Sequence, residues 1–418
     1  MTALAAAGKV VVALALALAA LRRWTTAPAA GGSEGAASFR APRFCPGGWG
    51  GAGSQGGAGA TVVSTTDVRT TDVRTTVRTT ASTTVRTTAS TTASTTASTT
   101  ASTTFLPRQK RQHFIVATYN AEWLFDGVDD RHGPSTPLAA HAHIDDVGGV
   151  LRRVDADVLA LIEVEHCGVA ARVAAALGSA SGGGGGTVNY DETAHRTFVA
   201  ASQDTSHRQT VALLSRAPVR GSGISQSLER ATYPVPGSKC GYHPPRPKTT
   251  GLTKHLYAVL TAPGTIGEIL LVAVHFKARP TQPKSCAKRE AQASIVEDLV
   301  LAHGRGRHVI VMGDFNDFDG AVGGMDRSSN VPTSNVLSRL TRRRDGKADA
   351  WPGLFSVGRL LPQAERATWS GPRFPDAMFD FILVSEGLRE RIGGVWVDRN
   401  ESRRVSDHQP LVVKFRVE

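Results

Sequence analysis

Gly313-Asp314-Phe315-Asn316 closes the apolar run from His308 to Met312, placing a carboxylate and an amide at the end of a strand-like segment. Tyr119-Asn120, Leu161-Ile162-Glu163, His275, Phe379-Asp380-Phe381 and Ser406-Asp407-His408 are similarly placed, each in or beside a short β-branched or apolar stretch. Strand ends equipped in this way deliver carboxylates, amides and imidazoles to one rim of a sheet. Cleaving a phosphodiester requires an activated water, charge neutralisation on the non-bridging oxygens and help for the departing alkoxide. The inventory therefore points to metal-assisted phosphoester hydrolysis.

The elements that must position these groups follow from periodicity. Strand patterns cover 114–119, 158–163, 197–201, 211–215, 255–260, 269–275, 309–312, 379–384, 395–397 and 410–415. Helical patterns cover 144–154, 166–177 and 286–303, the last with Ala291, Ile295, Leu299 and Ala302 on one face. Several strand-to-strand steps predict mixed sheets faced by helices, not a pure βαβ array. Gly182 to Gly186 reads as a flexible loop, because no Gly-Lys-Ser/Thr pattern follows to make a nucleotide cradle.

Composition divides the 418 residues near position 105. Residues 31–112 are Gly/Ala-rich and then Thr-rich, ending in Val-Arg-Thr-Thr and Ala-Ser-Thr-Thr tetrads, which cannot offset backbone entropy by apolar burial. They read as a disordered low-complexity linker or stalk, open to O-glycosylation in a secreted chain. Residues 113–418 are long enough for one large core and read as the catalytic domain. Of the formal charge of +12, residues 105–418 hold 39 Lys and Arg against 33 Asp and Glu, a modest surplus that suits a polyanionic substrate. Lys277, Arg279, Lys284, Lys288 and Arg289 cluster after His275, Arg342 to Arg344 form a run, and Arg403-Arg404 precede Asp407. Each reads either as a solvated face or as a phosphate-backbone contact.

Residues 1–30 contain an apolar run, 10–21, between Lys9 and Arg22-Arg23, with Ala27-Pro28-Ala29 beyond it. This is short for a membrane span, so a signal peptide is expected, a signal anchor next, and organellar import as the alternative to a secreted or membrane-anchored location. Arg108-Gln109-Lys110-Arg111 reads as a processing site after Arg111 or a basic linker, and Asn400-Glu401-Ser402 is a glycosylation sequon. Of four cysteines, Cys240 and Cys286 flank two strand-like runs and form the expected disulfide, whereas Cys167 reads as a buried thiol.

The ordered set Tyr119-Asn-Ala-Glu-Trp-Leu-Phe-Asp126, Asp157-Val-Leu-Ala-Leu-Ile-Glu-Val-Glu165, Val274-His-Phe-Lys277, Gly313-Asp-Phe-Asn-Asp317, Phe379-Asp-Phe-Ile-Leu-Val-Ser385 and Ser406-Asp-His-Gln-Pro410 resembles the endonuclease/exonuclease/phosphatase superfamily typified by deoxyribonuclease I. The resemblance spans about 113–417. It implies a four-layered α/β sandwich of two mixed β-sheets flanked by helices, with the site where the loops of the two sheets meet. The opening motif and the 204–214 stretch look most like secreted bacterial nuclease-like members.

Within that set, Glu163 is the expected ligand of a Mg²⁺ that keeps several waters, with Mn²⁺ as an alternative, and Asp407 completes the anionic site. Asn120 orients a phosphate oxygen or a metal-bound water. His408 is the expected general base and Asp380 the carboxylate that holds its imidazole. Asp314 and Asn316 fix the attacking water and a phosphate oxygen, and His275 stabilises the transition state or protonates the leaving oxygen. Lys277 and Arg279 are candidate phosphate contacts. Two departures stand out: Ile162 occupies a position where many members have Gln, and the acidic partner such members place beside the first His is not evident, with Asp204 and Glu192 both candidates.

The reading is a Mg²⁺-dependent phosphodiesterase, most simply a secreted or surface-tethered nuclease, with a monomeric catalytic domain and nucleic acid as its substrate. A phospholipid or inositol-phosphate phosphoesterase using the same site is the alternative, and a non-catalytic binding module on a Thr-rich stalk is a third.

Overall fold

Period-two alternation builds the first sheet from both sides. In β2 (His113–Leu124) Phe114 and Val116 enter one core while Ala117 and Tyr119 enter another, and in β3 (Val158–Val164) Ala160 and Ile162 follow the first pair, Leu159 and Leu161 the second. The computed structural model describes residues 43–44, 112–128, 131–178, 195–204, 207–221, 223–319, 334–343, 353–372, 374–400 and 402–418. The apolar run 10–21, the Thr-rich tetrads, the basic stretch 108–111, Gly182 to Gly186 and Glu192 lie outside these residues. Among the described residues no helix is long and apolar enough to cross a membrane.

Seven strands make one sheet, in the order β1 (Arg43–Phe44), β4 (Arg196–Val199), β5 (Thr210–Ser215), β3, β2, β16 (Leu411–Arg416) and β15 (Ile392–Val397). Five make the other: β11 (Phe355–Ser356), β14 (Asp380–Val384), β10 (His308–Asp314), β9 (Gly267–His275) and β8 (His255–Ala262). Only β2 with β3 and β9 with β10 run parallel, so both sheets are mixed. Phe114, Val116 and Phe415 from the first sheet share one continuous core with Leu271, Val311 and Phe381 from the second. Helices α1 (Pro137–Val154) and α2 (Cys167–Gly178) cover the outer face of the first sheet through Ile144, Val147, Leu151, Val169 and Val173, while Ile295, Val296 and Leu299 of α3 (Pro283–His303) join the core of the second. The result is the four-layered α/β sandwich expected from the resemblance.

Helices α1 and α3 begin earlier than periodicity indicates. Both start at a proline, whose missing N–H is unneeded in the first turn, and Thr136 Oγ1 accepts the Ala139 N–H at 3.2 Å to cap α1. Two hairpins carry no alternating signal: β6 (Arg230–Tyr233) with β7 (Lys248–Gly251), and β12 (Trp369–Gly371) with β13 (Phe374–Ala377). The Cys240–Cys286 disulfide is formed, closing a 46-residue separation between the first hairpin's loop and the first turn of α3. Cys167 corrects the reading above: it is disulfide-bonded, not a buried thiol, and its partner lies outside the described residues.

Candidate active site

Three neighbouring strands of the second sheet put three site residues in one row. His275 at the end of β9 pairs in register with Asp314 at the end of β10, and Asp314 pairs with Asp380 at the start of β14. Gly313 permits this approach: at φ +137°, a Cβ there would lie 1.9 Å from the Val274 carbonyl oxygen. The first sheet brings Asn120 and Glu163 from β2 and β3. Glu163 is the extra residue of a bulge, because β3 pairs Ile162 with Val211 and then Val164 with Thr210, leaving Glu163 unpaired at φ +65°. Its neighbours Leu161 and Leu159 face α1 and α2; the bulge frees the carboxylate from that alternation. Glu122 and Trp123, at φ 47° and 51°, form the matching irregularity in β2, and the Trp123 N–H donates to Glu163 Oε2 at 3.1 Å.

Asn120 sits at the centre. Its Nδ2 donates to Asp314 Oδ2 at 3.1 Å, lies 3.4 Å from Glu163 Oε1 and is 3.5 Å from His408 Nε2, so one amide touches groups from both sheets. Asp380 Oδ2 is 2.7 Å from His408 Nδ1 and is fully buried, and Ser406 Oγ accepts the His408 N–H at 3.0 Å while donating to the Asn120 carbonyl at 2.8 Å. The His408 Nε2 therefore faces the acids, 3.9 Å from Asp314 and 3.8 Å from Asp407. Burial alone would lower the His408 pKa, but the Asp380 carboxylate, with Asp314 and Asp407 behind it, raises it to about 10. Burial likewise pushes the Asp314 carboxyl up, to about 7.

His275 is held by different means. Its Nε2 lies 3.4 Å from Lys254 Nζ, 3.6 Å from Asp314 and 3.7 Å from Glu163, and its Nδ1 is buried without a hydrogen-bond partner. Burial, then the charges of Lys254, His408 and Lys277, hold its pKa well below the ordinary histidine value, so the imidazole is neutral. Of the two acids proposed as its partner, Asp204 acts on Lys254 instead, and Glu192 lies outside the described residues. Lys254 was not evident from sequence, since a lysine at the start of a strand carries no distinguishing signal. Burial lowers its pKa while Glu163, Asp204 and Asp314 support its charge.

Asn316, at φ +49°, donates its Nδ2 to Asp314 Oδ2 at 3.0 Å and its backbone N–H to Asp314 Oδ1 at 2.8 Å. It fixes the Asp314 carboxylate from two sides, a positioning role. Asp407 is 39% exposed, accepts the Trp369 Nε1–H at 2.9 Å and donates its N–H to Glu122 Oε2 at 2.9 Å. Lys277 and Arg279 lie exposed on the loop after β9 and do not join the hydrogen-bonded set. Arg289, counted with them in the sequence, is 1% exposed and pairs with Asp317 at 2.9 Å, so it is no phosphate contact.

The donor set fits a hard divalent cation. Burial first, then repulsion from Asp407 and Glu163, raises the Glu122 pKa, so carboxylate charge gathers on this side of the site. Glu163 Oε1 has only long contacts, from Asn120 at 3.4 Å and His275 at 3.7 Å, as suits one protein oxygen on a water-rich ion. Asp126, Glu165 and His166 also converge, but as a closed set: the Asp126 N–H and Arg208 hold Glu165 at 3.0 Å each, and His166 lies 3.1 Å from Asp126.

A mixed four-layered sandwich with an Asp-His dyad, a buried Asn and a bulged Glu at one sheet rim defines a phosphoesterase. The chain belongs to the Endonuclease/Exonuclease/phosphatase family, whose model matches residues 117–408. No curated protein sequence matches it. Solved structures similar to it include the endonuclease/exonuclease/phosphatase from Beutenbergia cavernae (16% identity, TM-score 0.46, 73% of this chain and 72% of that one). Two others are ANGEL2, a 2′,3′-cyclic phosphatase (15%, 0.45, 74% and 98%), and truncated TDP2 from Caenorhabditis elegans (16%, 0.42, 74% and 99%).

Proposed function

We propose that this family member is a secreted or surface-tethered phosphodiesterase that hydrolyses nucleic acid, with Mg²⁺ as its resident cation. The observation that carries the reading is the 2.7 Å Asp380–His408 contact, which leaves Nε2 in the same buried cluster as Asn120 and Asp314. Asp380 fixes the ring and stabilises the imidazolium while His408 Nε2 takes the proton of the attacking water. Asp314, locked by Asn316, orients that water, and the Asn120 amide holds a phosphate oxygen. Lys254, beside neutral His275, supplies the fixed positive charge that faces the developing negative charge on phosphorus oxygens. Glu163 and Asp407 would hold a divalent cation, whose charge would polarise the scissile phosphate and offset the carboxylate surplus that keeps His408 protonated. Two disulfide-bonded cysteines in the described domain besides Cys286, namely Cys167 and Cys240, support an oxidising compartment.

The test incubates the full chain with supercoiled plasmid, with Mg²⁺ or a chelator, beside His408→Ala. Nicking that needs the cation and vanishes in the variant is the expected result. Nicking that survives His408→Ala overturns the assignment of the base, and a protein inert on nucleic acid but active on inositol phosphates or phospholipids overturns the substrate.

A further inference from the structure

The charge of the domain is concentrated in one place. Residues 230–251 and 276–289 hold nine Lys and Arg and no Asp or Glu; the rest of 105–418 holds 30 Lys and Arg against 33 Asp and Glu. Protein surfaces ordinarily mix both signs. Here the whole positive surplus of the domain lies in two segments, and the fold joins them.

The joint is rigid. Strands β6 and β7 pair with each other, the Cys240–Cys286 disulfide ties their loop to α3, and Tyr233, Val235, Cys240, Cys286, Ala287 and Ala291 form a small core beneath. Arg289, the one buried cation of the nine, works as an internal brace: its Nε pairs with Asp317 at 2.9 Å and its Nη1 donates to the Lys277 carbonyl at 3.1 Å. Gln292 Oε1 accepts the Lys277 N–H at 2.9 Å, so α3 holds both backbone groups of the residue two places beyond His275.

What this platform presents is unpaired charge. Lys248, Lys277 and Lys284 are exposed and Lys288, half-buried, lies 5.5 Å over the Tyr233 ring. Among the described residues none of these four lysines has a carboxylate partner. Burial, then the charges of Lys277, Lys284 and Lys248, lower the Lys288 pKa, so Lys288 lies within the field of the other three. Lys277 stands two residues beyond His275 with its backbone fixed by Gln292 and Arg289, so the platform adjoins the row of site residues.

We infer that the disulfide-locked face formed by the β6–β7 hairpin and the first turns of α3 is an extended docking track for a nucleic-acid backbone, entered from the site at Lys277. The inference rests on the nuclease reading above and gives it a substrate class: a polymer several nucleotides longer than the bond cut. Lysines without acidic partners contact successive phosphates, displace their counterions and carry no base preference.

The full chain carrying Asp380→Asn is compared with the same chain carrying also Lys248→Gln, Lys284→Gln and Lys288→Gln. Binding of a fluorescein-labelled 30-nucleotide single strand is followed by anisotropy from 50 to 300 mM salt, and hydrolysis of bis(p-nitrophenyl) phosphate is measured in the same two chains with Asp380 restored. The triple change is expected to weaken binding at least tenfold near physiological salt and to lower the slope of log affinity on log salt by about 2, at roughly 0.7 per lost phosphate contact. Hydrolysis of the small diester stays unchanged. Unaltered affinity and slope overturn the track, as does a platform that binds vesicles of phosphatidylserine and phosphatidylcholine but no oligonucleotide. Intact oligonucleotide binding that is lost in the triple variant, in a protein that cuts no nucleic acid, keeps the track and overturns the nuclease reading alone.

Discussion

Two glutamates two residues apart, at the end of the same strand, have opposite fates. Glu165 is saturated: the Asp126 N–H and Arg208 each reach it at 3.0 Å. Glu163 has one good hydrogen bond, from Trp123, and otherwise faces Asn120 at 3.4 Å, His275 at 3.7 Å and the charges of Lys254 and His408. The same contrast holds for two buried imidazoles. His255 turns its Nε2 into the core to accept the Ser227 N–H at 2.7 Å, whereas His408 keeps Nε2 turned to the site. Polar groups that stabilise the fold have their partners inside it. Those that do chemistry hold capacity in reserve, and backbone strain at Glu163, Glu122 and Trp123 is where that reserve is built.

The largest way to break this comparison is to remove the open groups. His408→Ala and Asp380→Asn are each expected to lower kcat for phosphodiester cleavage by roughly 10³-fold or more, because the dyad acts as a unit. Glu163→Gln should fall by a similar order and lose its response to added Mg²⁺. Glu165→Gln should stay within about tenfold of wild type, since Glu165 acts only through structure. Steady-state kinetics on one substrate compares all four; equal losses at Glu163 and Glu165 would erase the distinction.

Acid separates the two imidazoles next. Burial depresses the His255 pKa from 6.5 to about 4, so between those values the unfolded chain binds a proton that the folded chain refuses. Stability from this group is complete above pH 6.5 and is lost as pH falls towards 4, by about 3 kcal/mol. His255→Gln, whose amide oxygen still accepts from Ser227, should flatten this part of the curve. The check is urea unfolding from pH 4.5 to 7.5: a variant curve parallel to wild type would show that His255 does not titrate in that window.

Much of the site was legible because it sits at strand ends with apolar runs before them: Asn120, Glu163, His275, Asp314, Asp380 and His408 all assemble where the motifs indicate. Lys254 and Glu122 were not legible in role, since their meaning comes from the other sheet and from a bulge that alternation alone does not announce. Arg289 misled for the reverse reason. A run of basic residues looks uniform in sequence, and only the turn of α3 decides that Arg289 points inward to Asp317 while Lys284 and Lys288 do not. Among the elements, the long buried strands were plain, and the β6–β7 and β12–β13 hairpins were hidden because short exposed strands carry no period.

The smallest effect is the most discriminating, because it has a sign. Glu165→Gln removes a carboxylate that satisfies a backbone N–H and an arginine, and should cost about 1–2 kcal/mol. Glu163→Gln replaces a carboxylate whose ionised form burial disfavours, leaving a neutral amide in its place, and should stabilise the cation-free protein by about 1 kcal/mol. Added Mg²⁺ should then reverse the order, raising the melting temperature of wild type but not of Glu163→Gln, since binding to the folded state alone shifts the equilibrium. If both variants lower the melting temperature in chelator, Glu163 is a structural carboxylate like its neighbour, and the reserve attributed to the bulge does not exist.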